Sequence, residues 1–203
     1  TQITVTAVND APLANAGAAS GNEDGTLAVA LTGSDVDGSI ASIRVTALPS
    51  NGVLLLADGV TAVTAGQALT PAQAASLVFR PAANFNGNAN LSFTVTDNNG
   101  AVSSPAVFAL TVNPVNDLPI AVADSVSTVG TAPATVAVLA NDSDIDGNPL
   151  SVTGASVNAA LGSVVVNANG SLTFTAAPGV SGAVPITYTI SDADGDTATA
   201  TVS

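Results

Sequence analysis

The sequence contains no cysteine, histidine, lysine, methionine or tryptophan, and its two basic residues are Arg44 and Arg80. Each absence closes a class of chemistry. Without cysteine there is no disulfide framework, and zinc and iron–sulfur sites lose their usual ligands along with histidine. Ser-His-Asp and Cys-His nucleophiles are impossible, as is histidine general acid–base catalysis. A phosphate-binding loop lacks its lysine. Nucleic acid demands basic residues to displace counterions, and two arginines against 15 acids, a net charge of −13, argue against it. No apolar run reaches the ~20 residues of a membrane-spanning helix. No basic stretch followed by an apolar one opens the chain, so no signal peptide is read there.

Carboxylates, amides, hydroxyls and carbonyls remain, and these are the ligands of a hard cation such as Ca²⁺. The 203 residues allow one or two domains. Their 47% hydrophobic content is ample for a core, though Ala and Val supply much of it and there are only five Phe and one Tyr. That supply suits thin, closely packed sheets.

Self-comparison divides the chain. Val8-Asn9-Asp10-Ala11-Pro12 returns as Val115-Asn116-Asp117-Leu118-Pro119. Ser34-Asp35-Val36-Asp37-Gly38 returns as Ser143-Asp144-Ile145-Asp146-Gly147. Phe79, Gly87 and Thr94-Val95-Thr96-Asp97 return as Phe174, Gly182 and Thr189-Ile190-Ser191-Asp192. The order is kept throughout, so this is a tandem duplication. The first copy carries an insertion around 58–76, in which Thr70, Pro71 and Gln73 form a capping-box pattern. One short helix is expected at 70–77. Elsewhere the period is two, as in Leu91-Ser92-Phe93-Thr94-Val95-Thr96 and Ile186-Thr187-Tyr188-Thr189-Ile190-Ser191. Asn-Gly and Asp-Gly turns fall between such runs. The expectation is an all-β chain of two tandem antiparallel β-sandwiches of about seven strands each. Residues 1–8 read as the end of a preceding strand and linker, which makes the chain a piece of something longer. Residues 9–113 form the first repeat, 114–118 a proline-stiffened connector and 119–203 the second repeat.

Thirteen of the 15 acids fall in or beside the repeated motifs; Asp58 and Asp124 are the exceptions. In Asp35-x-Asp37-Gly38 and Asp144-x-Asp146-Gly147, alternate carboxylates in a turn can face one side, where they repel unless a cation lies between them. An ordinary Asp-Gly turn with solvated carboxylates is the other reading. Asn9-Asp10 and Asn116-Asp117 are open to a cation role or to Asx turns in a polar linker. Asp97 and Asp192 each follow an alternating strand, as a ligand or as a terminating turn. Glu23, the sole Glu, has no acidic counterpart near Val129-Gly130. Asp142-x-Asp144-x-Asp146-Gly147 meets half of an EF-hand loop, but Thr153 stands where the loop needs Glu and both flanks read as strand.

With its Asn-Asp-x-Pro connectors, its Asp-x-Asp-Gly about 25 residues later and its Asp after the late strand, the chain resembles cadherin-like repeats. It resembles more closely the Ig-like tandem repeats of large bacterial RTX-type adhesins, above all in Val138-Leu139-Ala140-Asn141-Asp142-Ser143-Asp144-Ile145-Asp146-Gly147. The resemblance implies Greek-key sandwiches in an extended array, with Ca²⁺ shared at the junctions. It implies a middle site of Glu23, Asn116, Asp117, Asp144, Asp146 and Asp192, faced by Asn84 or Asn86, and an N-terminal site of Asp10, Asp35, Asp37 and Asp97. The missing acid near residues 129–130 leaves the next junction's metal count open.

The function so implied is structural: extender repeats that space the ligand-binding tip of an adhesin from an extracellular bacterial surface, in adhesion and biofilm. Their partners are neighbouring repeats, with no nucleic acid, membrane insertion or small-molecule substrate, and no catalysis. One alternative is a glycan- or peptide-binding module, disfavoured because sugar platforms are usually aromatic. A remoter alternative is a two-carboxylate glycosidase, disfavoured because a catalytic pair would occur once, not in repeated linkers.

Overall fold

The computed structural model describes residues 2–203, which form two compact units, one ending at Val115 and the other spanning Asn116–Ser203. In the first unit the order is β1 (Leu13–Asn15), β2 (Gly17–Asn22), β3 (Leu27–Val29), β4 (Thr32–Ser34), β5 (Ile40–Ala47), β6 (Gly52–Leu55), β7 (Ala68–Leu69), α1 (Pro71–Ala74), β8 (Leu77–Pro81), β9 (Gly87–Asn88), β10 (Leu91–Asp97) and β11 (Ala106–Asn113). The second unit has β12 (Ala134–Val136), a 3₁₀ turn at Val138–Ala140, β13 (Ser151–Val157), β14 (Gly162–Val166), β15 (Leu172–Ala176), β16 (Ile186–Ser191) and β17 (Thr197–Val202).

The first unit's large sheet runs β2-β11-β10-β5-β7, with β9 also on β11, and its smaller sheet runs β3-β8-β6. In β10 the alternation of the sequence becomes burial: Leu91, Phe93 and Val95 are fully buried while Ser92 and Thr96 are partly exposed. These side chains meet Phe79, Leu77 and Leu54 from the smaller sheet in one core. Each such side chain contributes roughly 1.5–3 kcal/mol on burial. The second unit repeats the plan with sheets β12-β15-β14 and β13-β16-β17, its core built on Tyr188, Ile190, Leu172, Phe174 and Val202.

Three features differ from a simple reading of the repeat. The β2/β11 ladder is parallel, from Gly17↔Phe108 to Asn22↔Asn113. It arises because the entering segment pairs first with β4 through β1, and then crosses to β11 through β2. The helix is a single turn, Pro71–Ala74, shorter than 70–77, because Leu77 already pairs with Val29 in the β3/β8 ladder. Thr70 caps it, accepting from the Gln73 N–H, while the Gln73 side chain accepts from the Thr70 N–H at 3.0 Å. A second helical turn, of 3₁₀ type, stands at Val138–Ala140. Among the described residues no helix is long and apolar enough to cross a membrane.

Candidate metal centre

The acids of the first unit gather at the end of β10. Asp97 closes that strand and is 2% exposed. Its Oδ1 accepts the N–H groups of Asn99 at 2.9 Å and Ala101 at 2.8 Å, and its Oδ2 accepts Asn9 Nδ2 at 2.7 Å. The bond from Asn9 comes first in holding the Asp97 carboxyl below its ordinary pKa, with the backbone donors adding to it against the opposing effect of desolvation. Asn99 Nδ2 in turn donates to Asn9 Oδ1. The Asp10 N–H reaches Asp37 Oδ2 at 3.1 Å. The structure therefore brings Asn9, Asp10, Asp37 and Asp97 into one network.

Asp35 stands differently. Both its carboxylate oxygens are shielded from solvent and neither has a hydrogen-bond donor. Gly38 makes room for it: a Cβ at that position would lie 2.7 Å from Asp35 Oδ2 and 2.5 Å from Asn98 Oδ1. The glycine here serves clearance. In the second copy Gly147 serves conformation, with a φ of 77° that side-chain-bearing residues rarely adopt.

The second unit rebuilds the network at equivalent positions. Asp192, 6% exposed, accepts the N–H groups of Asp194, Gly195 and Asp196 on Oδ1 and Asn116 Nδ2 on Oδ2. The Asn116 bond is again the first cause of a lowered carboxyl pKa, ahead of the backbone donors and against desolvation. The Asp117 N–H donates to Asp146 Oδ2 at 2.8 Å. Asp144 Oδ1 accepts from the backbone of Asp146 and Asn148, while its Oδ2 is shielded and without a donor. Three members were not singled out as ligands from the sequence: Asp194, Asp196 and Asn148. Asn148 bridges Asn116 Oδ1 at 2.8 Å and Asp194 Oδ2 at 2.9 Å. Their signal was the Asp192-x-Asp194-x-Asp196 spacing; the amide of Asn148 had none.

Glu23 lies apart from the first unit's cluster. Asp97 ends β10, whereas Glu23 sits beside the far end of β11: its N–H donates to the Asn113 carbonyl and its Oε1 accepts the Val115 N–H at 2.8 Å. It is 3% exposed, not a surface Glu, and its Oε2 has no donor. Asn84 and Asn86 are exposed.

Chemically, each cluster is an oxygen-only donor set, with no cation from the chain in it; Arg44 is spent on the Gly66 carbonyl. Among the described residues, no three carboxylates already stand as a finished metal cage. Yet a shielded carboxylate oxygen without a donor is costly as a bare anion, and a cation or a proton must offset it. Such oxygens occur at the equivalent residues Asp35 and Asp144. The donor set therefore fits a hard, oxygen-seeking cation of the Ca²⁺ type.

A family model described as the bacterial Ig domain matches residues 9–109 and again residues 116–203. No curated protein matches the sequence. Among solved structures, the extracellular cadherin domains 3–6 of protocadherin gamma B2 align at 17% identity and a TM-score of 0.45, over 96% of this chain and 52% of that one. A variant of an endo-fucoidan hydrolase of glycoside hydrolase family 107 aligns at 18% identity and 0.39, over 95% of this chain and 28% of that one. The SrpA adhesin of Streptococcus sanguinis, also as a variant, aligns at 16% identity and 0.37, over 98% of both chains. At these scores the three alignments carry no argument about function.

Proposed function

The chain belongs to the bacterial Ig domain family, and on that footing we propose that its repeats are Ca²⁺-stiffened spacer modules of a large bacterial surface adhesin of the RTX type. Asp10, Asp35, Asp37 and Asp97, with Asn9, would hold the ion in the first unit. Asp117, Asp144, Asp146 and Asp192, with Asn116, would hold it in the second, and Glu23 would add a carboxylate where the first unit ends. Bound Ca²⁺ supplies the positive charge that these carboxylates lack.

The observation that carries this reading is the recurrence of one arrangement in both units. A shielded Asp oxygen without a donor, at Asp35 and Asp144, lies two residues before an Asp that accepts a connector N–H, Asp37 and Asp146. A solvated turn has no reason to repeat that.

The spacer reading rests on the tandem occurrence of the family's domain over residues 9–109 and 116–203, and each unit keeps its own hold on the connector. Val115 is anchored within the first unit by Glu23, and Asn116, the next residue, within the second by Asp192 and Asp196. The test is calorimetry with Asp144→Ala plus Asp146→Ala. Binding in the 10⁻⁴–10⁻³ M range typical of extracellular modules, or somewhat tighter, should lose one class of sites. Unchanged stoichiometry and affinity would end the metal assignment. Small-angle scattering with and without chelator addresses stiffening separately; an unchanged maximum dimension and flexibility would remove the spacer mechanism even if calcium bound.

A further inference from the structure

Four Asn-Gly pairs occur in the chain, at residues 51–52, 86–87, 99–100 and 169–170. In such a pair the backbone nitrogen of the glycine can attack the asparagine side-chain carbonyl and close a five-membered ring. Glycine favours this because it has no Cβ to block the approach. The ring closes where that nitrogen is free to swing, and the four pairs differ in this freedom.

Three pairs are held. Gly52 pairs with Pro81 in the β6/β8 ladder, where a Cβ would lie 2.5 Å from the Phe79 ring. Gly87 pairs with Val112 in the β9/β11 ladder. The Gly170 N–H donates to the Asn167 carbonyl at 2.9 Å, and a Cβ there would lie 2.9 Å from Leu139 Cδ1. Asn169 Oδ1 is engaged as well, by the N–H and the hydroxyl of Ser171. The pair at 99–100 is open. Both residues are exposed, and a Cβ at Gly100 would meet nothing within 4 Å beyond its chain neighbours. The Gly100 N–H reaches the Asp97 carbonyl at 3.3 Å, beyond the usual range for such a bond. Asn98 Nδ2 lies 3.4 Å from Asn99 Oδ1, the oxygen on which negative charge gathers during attack.

The second copy carries an acid at this place. Asn99 and Gly100 correspond to Asp194 and Gly195. The N–H groups of Asn99 and Ala101 sit on Asp97 Oδ1 at 2.9 and 2.8 Å, and those of Asp194 and Asp196 on Asp192 Oδ1 at 3.0 and 2.8 Å. Gly100 and Gly195 share a left-handed φ, 93° and 101°. One backbone thus accepts either side chain. The difference lies in the donor to the connector amide. Asn9 Oδ1 accepts from Asn99 Nδ2, whereas Asn116 Oδ1 accepts from Asn148 Nδ2, which also donates to Asp194 Oδ2. We propose that Asn99–Gly100 is a self-modifying site, which deamidates in the folded chain and gives the first unit the carboxylate that the second one encodes. The Gly100 nitrogen bonds to Asn99 Cγ and yields its proton, the Cγ–Nδ2 bond breaks, and Nδ2 leaves as ammonia with that proton. Water opens the resulting imide at either carbonyl, to aspartate or to isoaspartate, in which the main chain runs through the side-chain carbon. One amide and one water become one carboxylate and one ammonium ion, with no other reactant. In the aspartate product Asn9 Oδ1 loses its donor and faces a carboxylate. On the calcium reading above, on which this consequence rests, both become oxygens available to the ion.

The experiment is incubation of the full 203-residue chain in chelator at mildly alkaline pH, sampled over time and mapped by mass spectrometry after digestion with an acid protease. Residue 99 should convert first, and in water enriched in heavy oxygen it should take up one labelled oxygen. In denaturant no pair is held, so the lead of residue 99 over the other three should shrink. Asn99→Gln, whose longer side chain must close a six-membered ring, should keep its amide. Conversion led by Asn51, Asn86 or Asn169, or the same relative rates in folded and denatured chains, would overturn the assignment. Calorimetry on Asn99→Asp reads the consequence for the ion separately. Ca²⁺ binding by the first unit should tighten on the order of 10-fold, ligand charge being one of the quantities that tune such sites. Selective conversion of residue 99 without that tightening would uphold the modification site and count against the calcium reading instead.

Discussion

Asn116 and Asp192, 76 residues apart, are joined by a 2.8 Å bond from Asn116 Nδ2 to Asp192 Oδ2, and Asn9 repeats this bond to Asp97 at 2.7 Å. In both units the connector's amide positions the carboxylate that closes a core strand. Asn116→Ala should weaken Ca²⁺ binding by the second unit about 10-fold or more, the usual cost of losing a group that orients a ligand. Asn9→Ala should do the same in the first unit only. Calorimetry on each variant checks this; an unchanged affinity in both would show that the amides are linker packing alone.

Glu23 offers a separation of structural and metal roles. Glu23→Gln keeps an oxygen for the Val115 N–H, so thermal stability in chelator should barely move while the calcium-dependent increment falls. Glu23→Ala leaves that N–H without its acceptor and should cost about 1–3 kcal/mol even in chelator. Thermal melts of both variants, with and without calcium, distinguish these outcomes.

Tyr188 is buried, and its hydroxyl lies 2.9 Å from the Val122 carbonyl, 3.1 Å from Asp124 Oδ2 and 3.2 Å from Asp142 Oδ1. Burial, reinforced by the two carboxylates, raises its pKa so far that it stays protonated and donating. Tyr188→Phe should destabilise the second unit by about 1–3 kcal/mol and leave the first unit's transition in place. Denaturant unfolding followed by circular dichroism tests it. The first unit has Phe93 at this position and Gly17 and Gly33 where the two acids stand, so it never needed the hydroxyl.

Burial raises the pKa of Asp124 above its ordinary value of 3.8, the bond from Tyr188 draws it back, and the charge of Asp142 adds to the rise. A carboxyl whose folded pKa is raised favours folding while protonated; that contribution fades as pH climbs from 3.8 through the folded value. At neutral pH the ionised Asp124 is therefore a net cost. Asp124→Asn should raise the melting temperature at pH 7, with the gain shrinking as the pH falls through the raised folded value toward 3.8. An equal gain at both ends of the titration would show that charge is not the cause.

Much of the fold was legible because its signals are local. Alternation in Leu91–Thr96 and Ile186–Ser191 is a property of the strands themselves, and a half-buried sheet enforces it. The capping pattern of Thr70 and Gln73 lies within four residues, although the length of the helix did not follow from it. Competition from the β8 ladder, which claims Leu77, decided that. The acid motifs were visible as repeats, since Asp35-x-Asp37-Gly38 and its counterpart differ only in the middle residue.

By itself, then, the sequence determined the duplication, the β class, the oxygen-only chemistry and which acids recur, because these depend on composition and spacing alone. Only the tertiary structure decided which groups meet. It put Glu23 against Val115 and away from Asp97, because β2 runs parallel to β11 and carries Glu23 to the far end of that ladder. It drew Asn148, Asp194 and Asp196 around Asn116, joining loops that no sequence period connects. It placed Asp124, Asp142 and Tyr188 around one hydroxyl, a meeting set by sheet packing across 64 residues.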